Sequence, residues 1–424
     1  MAKVATAGEG GMTAGRRGGA MLIVALMAGY SVVYMDKSMI STAIIPISSR
    51  FHLDAGQTGL IMSAFFLGYS LMQIPGGWLA DRFGAKRVLM VSVLVIAAFA
   101  FLFGAMSGLV LFMVMRFFAG MGHGGYPPSC TKAVAENFPR ERRTFVQSLI
   151  LSTSGIGGIL AYTLGAQLVT ANWRIAYDVL GALYLLAFML IAIFVPSHKG
   201  EAARAAKAKS EARAGDEAAA RADAPKVGFK DVITNRNVLV LFLAMLLLNL
   251  VLYGNMSWLP SYITKTFSLT INQASLLLAI NAVFSTAATI FSGSLLSKLF
   301  LGREKAAVAG SCLIVAALIV AFVMSRNLVL SLVLLIIISI VCTLAFTGIF
   351  TWPHKIMDAE IIGSSIGVVN TGGTLGGFIA PMLIGQLIKA SGGSFTNAFL
   401  FLAGAGVACA LVVLLVKTDA RKKA

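Results

Sequence analysis

Asp36 and Lys37 stand side by side in the middle of a stretch that is otherwise almost wholly apolar, Ala20 to Ser49 (AMLIVALMAGYSVVYMDKSMISTAIIPISS). Thirty helical residues extend about 45 Å, which exceeds the hydrocarbon core of a bilayer. A charged side chain at that depth costs at least about 2.5–3.5 kcal/mol, so it persists only against a partner, another charge or a water-filled cavity. Two further ionisable residues lie in apolar surroundings, Arg116 and His123. They are seven residues apart in a glycine-rich run (RFFAGMGHGGYPPS), which places them on one helix face about 10 Å apart. Lys37 and Arg116 are positive, Asp36 is negative and His123 can be either neutral or positive. A cavity lined by these groups is net positive and suits an anion: Arg forks onto a carboxylate, and Lys offers a point charge. Asp36 or His123 could carry a proton, and protonating Asp36 would release Lys37 or Arg116 for the anion. Two plainer readings stand beside this one: Arg116 as a purely structural partner of Asp36, and His123 as a hydrogen-bonded packing histidine.

Such groups need a membrane scaffold, and the composition supplies one. Of 424 residues, 58% are hydrophobic and 12% charged, about half the charge of a soluble domain. Only helices and closed barrels satisfy the backbone in lipid, and barrel strands would alternate polar and apolar residues. The class is therefore an all-α membrane protein. Twelve spans can be placed, at roughly 20–49, 56–79, 86–107, 108–138, 143–170, 174–196, 237–264, 271–298, 305–324, 327–351, 361–388 and 395–416. Residues 197–236 (with KGEAARAAKAKSEARAGDEAAARADAPK) form a charged, Ala-rich linker that splits the chain six spans from six. The expected organisation is a tail 1–19, a six-helix bundle 20–196, the linker, a second bundle 237–416 and a tail 417–424.

The net charge of +17 would suggest nucleic acid in a soluble protein. Here the cations gather in loops on one side: Arg16/Arg17, Arg82/Lys86/Arg87, Arg140/Arg142/Arg143, the linker, Arg303/Lys305 and Lys417 to Lys423. Topology explains that bias, with both termini in the cytoplasm of a cell whose inner membrane holds the chain. No nucleic-acid partner, metal or cofactor is expected. The four cysteines lie in apolar segments without metal spacing and read as small buried hydrophobes.

An internal repeat links the halves. GGILAYTLGAQL (Gly157–Leu168) in span five matches GGFIAPMLIGQL (Gly376–Leu387) in span eleven at six of twelve positions without gaps. GWLADRFGAKR (Gly77–Arg87) after span two has a weaker echo in GSLLSKLFLGR (Gly293–Arg303). Two related six-helix halves imply a carrier whose halves rock about a central site. The second half adds no deep charge, but Asn249, Tyr253, Asn255, Trp258, Asn281, Trp352, Asn370 and Thr371 could meet a substrate's neutral parts. His354, Lys355, Asp358 and Glu360 read as solvated in an outer connection after span ten. In the Gly77–Arg87 turn, Asp81 is placed to hold a neighbouring helix N-terminus and let go on rocking.

The Gly77-Trp-Leu-Ala-Asp81-Arg82-Phe-Gly84-Ala-Lys86-Arg87 run resembles the signature loop of the major facilitator superfamily. More narrowly, YMDKSMISTAIIPI, SAFFLGYSLMQIPGGWLADRFG, RFFAGMGHGGYPPSCTKAVAENFPRERR and NTGGTLGGFIAP resemble the anion:cation symporter family of sugar-acid and other organic-anion permeases. The resemblance implies twelve helices in two pseudo-symmetric bundles and alternating access. It also implies that Gly77, Asp81, Arg82, Gly84, Lys86 and Arg87 form a gating loop. By it, Asp36 matches the first-span acid, Tyr69 a cavity tyrosine and Arg116 the substrate arginine. Three positions depart from the pattern: Lys37 replaces an Arg, His123 a Glu, and Asn137 an aromatic. The expectation is a monomeric, proton-coupled importer of a small organic anion such as a sugar acid, with Na+ as the other candidate ion. Lys37, Tyr69, Arg116, Tyr253, Asn255, Trp258, Trp352 and Asn370 would bind substrate, while Asp36 and His123 would couple the proton. The alternatives are a proton-driven drug exporter and a sensor that moves no solute. No nucleophile–base pair or metal cluster argues for an enzyme.

Overall fold

The computed structural model describes residues 9–197, 229–299, 303–357 and 362–417. Regular structure among the described residues is helical. Hydrocarbon imposes this, because a helix satisfies its own backbone groups within one segment. The long helices are α1 Glu9–Phe51, α2 Ala55–Phe83, α3 Ala85–Ala105, α4 Leu109–Asn137, α5 Arg140–Leu160, α6 Ala166–Phe194, α7 Arg236–Phe267, α8 Ile271–Leu299, α9 Glu304–Met324, α10 Leu328–Thr351, α11 Ile362–Ala390 and α12 Thr396–Leu414.

Ten stretches are long and apolar enough to cross a membrane, and one of them, Phe145–Phe194, holds two spans. There a π-helical turn at Ala161–Gly165 runs α5 into α6, and helical geometry breaks at Asn172 (φ −165°, ψ 113°). α4 is not among the ten; it carries Arg116, His123 and Lys132 in a glycine-rich helix. With α4 added and the merged stretch divided, the twelve expected spans are present. α1 starts at Glu9, well before the expected boundary at residue 20. Most of the linker, residues 198–228, lies outside the described residues, as do 1–8, 418–424, Asp358 and Glu360.

The repeat is visible as packing. α1 packs on α5, α2 on α4 and α3 on α6; six helices later, α7 packs on α11, α8 on α10 and α9 on α12. The halves meet along α2–α11 and α5–α8, which the same shift interconverts. Matching glycines explain the register. Gly157 of α5 abuts the Ser31 carbonyl of α1, and Gly376 of α11 abuts the Leu246 carbonyl of α7. A Cβ at either position would collide with backbone. α10 is an even-numbered helix, so the connection that follows it, with Trp352, His354 and Lys355, lies on the linker's face of the membrane and not the opposite one.

On that opposite face α2 and α11 are tied at their ends. Asp54 caps α2 in a capping box: its carboxylate accepts the Gln57 N–H at 2.9 Å, and Gln57 Oε1 accepts the Asp54 N–H at 3.1 Å. Its second oxygen meets Lys389 Nζ at 3.0 Å. The Gln57 N–H and the Lys389 ammonium hold the Asp54 carboxyl below the ordinary carboxylate range. The cap's contribution is therefore present at neutral pH and lost only as pH falls through that lowered value. Asp54→Ala removes both cap and pair, with an expected loss of about 1 kcal/mol. Lys389→Ala removes only an exposed pair, worth well under about 1 kcal/mol. Thermal unfolding of the purified variants measures the difference, and equal losses would show that the ion pair, not the cap, carries the contact.

Candidate functional site

Asp36, Arg116 and His123 meet inside the first bundle. Asp36 Oδ1 accepts from Arg116 Nη1 at 2.8 Å, and Asp36 Oδ2 lies 2.8 Å from His123 Nε2. The three are buried, at 1%, 2% and 0% exposure, so this is a desolvated cluster and not a surface pair. Tyr184 of α6 completes it. Its hydroxyl donates to the Val32 carbonyl at 3.2 Å and lies 3.1 Å from the same His123 Nε2. His123 Nδ1 is buried without a partner. A proton there would leave a buried charged donor unsatisfied, so the network assigns a neutral imidazole that donates from Nε2 to an ionised Asp36. α2 closes the cluster from the side. Gly68 of α2 lies against the Phe117 carbonyl, and Gly120 of α4 against the Phe65 carbonyl. That close approach slides Phe65 under the Arg116 guanidinium, 4.4 Å from ring centroid to Cζ, and edge-on to His123 at 4.7 Å.

Lys37 takes a different route. Its ammonium lies 4.5 Å from the Tyr69 ring centroid and 5.0 Å from that of Tyr34. No carboxylate pairs with it among the described residues. Tyr34 in turn lines a cavity of about 460 Å³ between the halves, walled by α1 and α5 on one side and by α7, α8 and α10 on the other. Tyr253 and Asn255 face this cavity too. The cluster of Asp36, Arg116 and His123 does not reach it. Phe65, Phe66 and Tyr69, packed with Tyr253, Met256 and Phe378, form an apolar patch between the cluster and the seam.

The Major Facilitator Superfamily profile matches residues 26–381. The chain belongs to the major facilitator superfamily. It is 28% identical to a probable sulfoacetate transporter of Cupriavidus necator, over 88% of each chain. It is 26% identical to a probable galactarate/D-glucarate transporter of Escherichia coli K12, over 95% of each. Among solved structures, a D-xylose-proton symporter superposes with a TM-score of 0.75 at 15% identity, over 95% of this chain and 99% of that one. The chain is thus a multi-pass membrane transporter and not an enzyme.

Against this superfamily fold the sequence expectations separate. Tyr253 and Asn255 line the cavity; Lys37 and Tyr69 lie one ring behind it. Arg116, expected to bind substrate, pairs with Asp36 and does not line the cavity. Trp258 is a packing residue: its indole N–H donates to the Pro381 carbonyl at 3.1 Å, a carbonyl near a proline inside α11. Trp352 is buried in the core past the end of α10. Asn370 donates to Gln73 Oε1 at 3.2 Å across the α2–α11 seam, away from the cavity. In the superfamily loop, Gly84 makes the α2–α3 turn at φ +88°, where a side chain would be strained. Asp81 pairs with the Lys132 side chain of α4 at 2.8 Å, and not with a helix N-terminus. Lys86 donates to the Ala192 carbonyl of α6 at 2.7 Å, Arg82 stacks on Trp78, Gly77 lies beside Pro128, and Arg87 is exposed.

Tyr34 and Tyr184 went unnoticed in the sequence. Tyr184 had a signal: Tyr177 and Tyr184 repeat the seven-residue spacing of Arg116 and His123, and both lie within electrostatic reach of Arg116 and Asp36. Removing one partner of a buried ion pair costs about 3–5 kcal/mol, because the other is left uncompensated. Asp36→Asn and Arg116→Gln are each expected to lose that much in thermal unfolding of purified protein. The double variant should lose less than the sum by more than about 1 kcal/mol. Additive losses would show that the two side chains do not act as a pair.

Proposed function

We infer that this transporter imports a small organic anion together with protons, by alternating access about the cavity between its halves. One observation carries the reading: a buried lysine, Lys37, with no carboxylate partner among the described residues stands one ring behind that cavity, while the neighbouring acid is engaged elsewhere. The cost of keeping Lys37 charged at membrane depth is offset when an anion arrives. The names of the relatives, transporters of sulfoacetate and of galactarate or glucarate, support an anionic cargo. Asp36 is the proton site. Protonation discharges its hold on Arg116, and the cluster then gains one positive charge, which favours anion and proton entering together. His123 sets the orientation of that carboxylate and offers a second proton acceptor at Nδ1. Both termini lie in the cytoplasm of a cell with this protein in its inner membrane, in accord with the one-sided cations. A single chain suffices, because the cavity is formed within it.

In proteoliposomes, adding a transported organic acid to the outside is expected to raise external pH, and a protonophore to abolish accumulation. Lys37→Met should lose uptake while keeping the wild-type unfolding temperature. Asp36→Asn should lose proton-driven accumulation and retain exchange of labelled for unlabelled substrate. Accumulation that ignores both the protonophore and Lys37→Met would overturn the assignment.

A further inference from the structure

The charge balance and the wall chemistry of the central cavity differ from what a polyhydroxylated diacid requires. Arg116 is neutralised by an ionised Asp36, and the hydrogen-bond network leaves His123 neutral; the charge that Arg116 gains when Asp36 is protonated stays behind the Phe65–Tyr69 ring layer, so among the described residues Lys37 is the unpaired charge nearest the cavity. The described residues that line the cavity include no Lys, Arg, His, Asp or Glu. A second anionic group on the substrate would face neutral walls in a low-dielectric setting, where an uncompensated charge is strongly disfavoured.

The far wall, on α8 and α10, looks polar in the sequence and is much less so in space. Thr286 donates to the Ala282 carbonyl at 2.6 Å, Thr289 to Ser285 at 2.9 Å, Thr343 to Ser339 at 2.8 Å and Thr347 to Thr343 at 2.9 Å. Each hydroxyl proton is thus given to a carbonyl of its own helix. Among the described residues on that wall, Ser285, Ser339 and Asn281 keep unspent polar groups. The rest of that wall is apolar, with Leu278, Ile290, Leu335, Ile338, Phe346 and Phe350, whereas the polar lining groups Tyr34, Ser38, Ser154, Tyr162, Tyr253 and Asn255 stand on the α1, α5 and α7 side. A sugar acid would bring several hydroxyls to a wall with few partners for them, and each unpaired one costs binding.

We propose that the cargo is a monocarboxylate with an apolar body, its carboxylate at the Tyr34–Lys37 pole and its body against the α8–α10 wall. The inference rests on the anion-importer reading and sharpens it. A cavity of about 460 Å³ suits a single aromatic ring with a short acidic side chain.

Four probes separate charge from hydroxylation: phenylacetate (one charge, apolar), gluconate (one charge, hydroxylated), phthalate (two charges, apolar) and galactarate (two charges, hydroxylated). Benzyl alcohol serves as the neutral control. Affinities are read by calorimetry on the purified full-length transporter, and uptake in proteoliposomes. Phenylacetate is expected to bind at least tenfold more tightly than each of the others and to lose its binding in Lys37→Met. Gluconate equal to phenylacetate would overturn the apolar body. Phthalate or galactarate equal to phenylacetate would overturn the single charge, and either result leaves the anion-importer reading standing. Benzyl alcohol binding as well as phenylacetate, or none of the four acids binding, would overturn both the inference and the reading beneath it.

Discussion

The Asp36 carboxylate has both oxygens engaged, one by Arg116 and one by His123, and much of the first bundle is arranged around that fact. An ion pair drawn out of water recovers its desolvation cost only with tight geometry and satisfied neighbours. Tyr184 supplies one neighbour from α6, and Phe65 covers the guanidinium from α2. The cluster therefore ties four helices, α1, α2, α4 and α6, to a single carboxylate. A change at that carboxylate would disturb contacts to each of these helices.

Lys37 belongs to the same helix and the next position, yet it serves a different surface. Successive residues of a helix point about 100° apart, so Asp36 can face the bundle interior while Lys37 reaches toward the seam. The tyrosine rings of Tyr34 and Tyr69 hold the ammonium by their negative faces. Such a hold is weaker than an ion pair at short range, and it is compatible with surrendering the cation to an incoming anion. The aromatic patch around Phe66 and Tyr253 then separates the Asp36 cluster from the cavity between the halves.

The two halves touch unevenly. α2 and α11 share an extensive seam that runs from Asp54–Lys389 through Ser63–Met382 to Gln73–Asn370. The pseudo-equivalent α5–α8 seam borders the cavity, and on its α5 side lies the π-helical turn at Ala161–Gly165. π-turns inside helices recur at functional sites, where the extra residue re-aims a side chain; here Tyr162 is turned into the cavity. The repeat thus gives the halves a common plan, from which the cavity seam departs by the π-helical turn.

Composition and hydropathy determined the membrane class, the twelve spans and the six-plus-six division, because lipid leaves a chain few alternatives to helices. The two glycine-rich runs at Gly157 and Gly376 carried the repeat in plain view, since close helix packing needs those residues at those positions. The four ionisable residues at depth were equally legible, for charge in hydrocarbon is conspicuous. Partner choice was not. Arg116 could have met a substrate or Asp36, and Trp258 could have lined a cavity or capped a carbonyl of α11. In a soluble helix the apolar stripe marks the inner face, but a membrane helix is apolar all round, and its rotation about its own axis leaves little trace in the sequence. Only the packing of α2 against α4 and of α7 against α11 fixes those rotations, and with them which side chains share the cavity and which are sealed behind it.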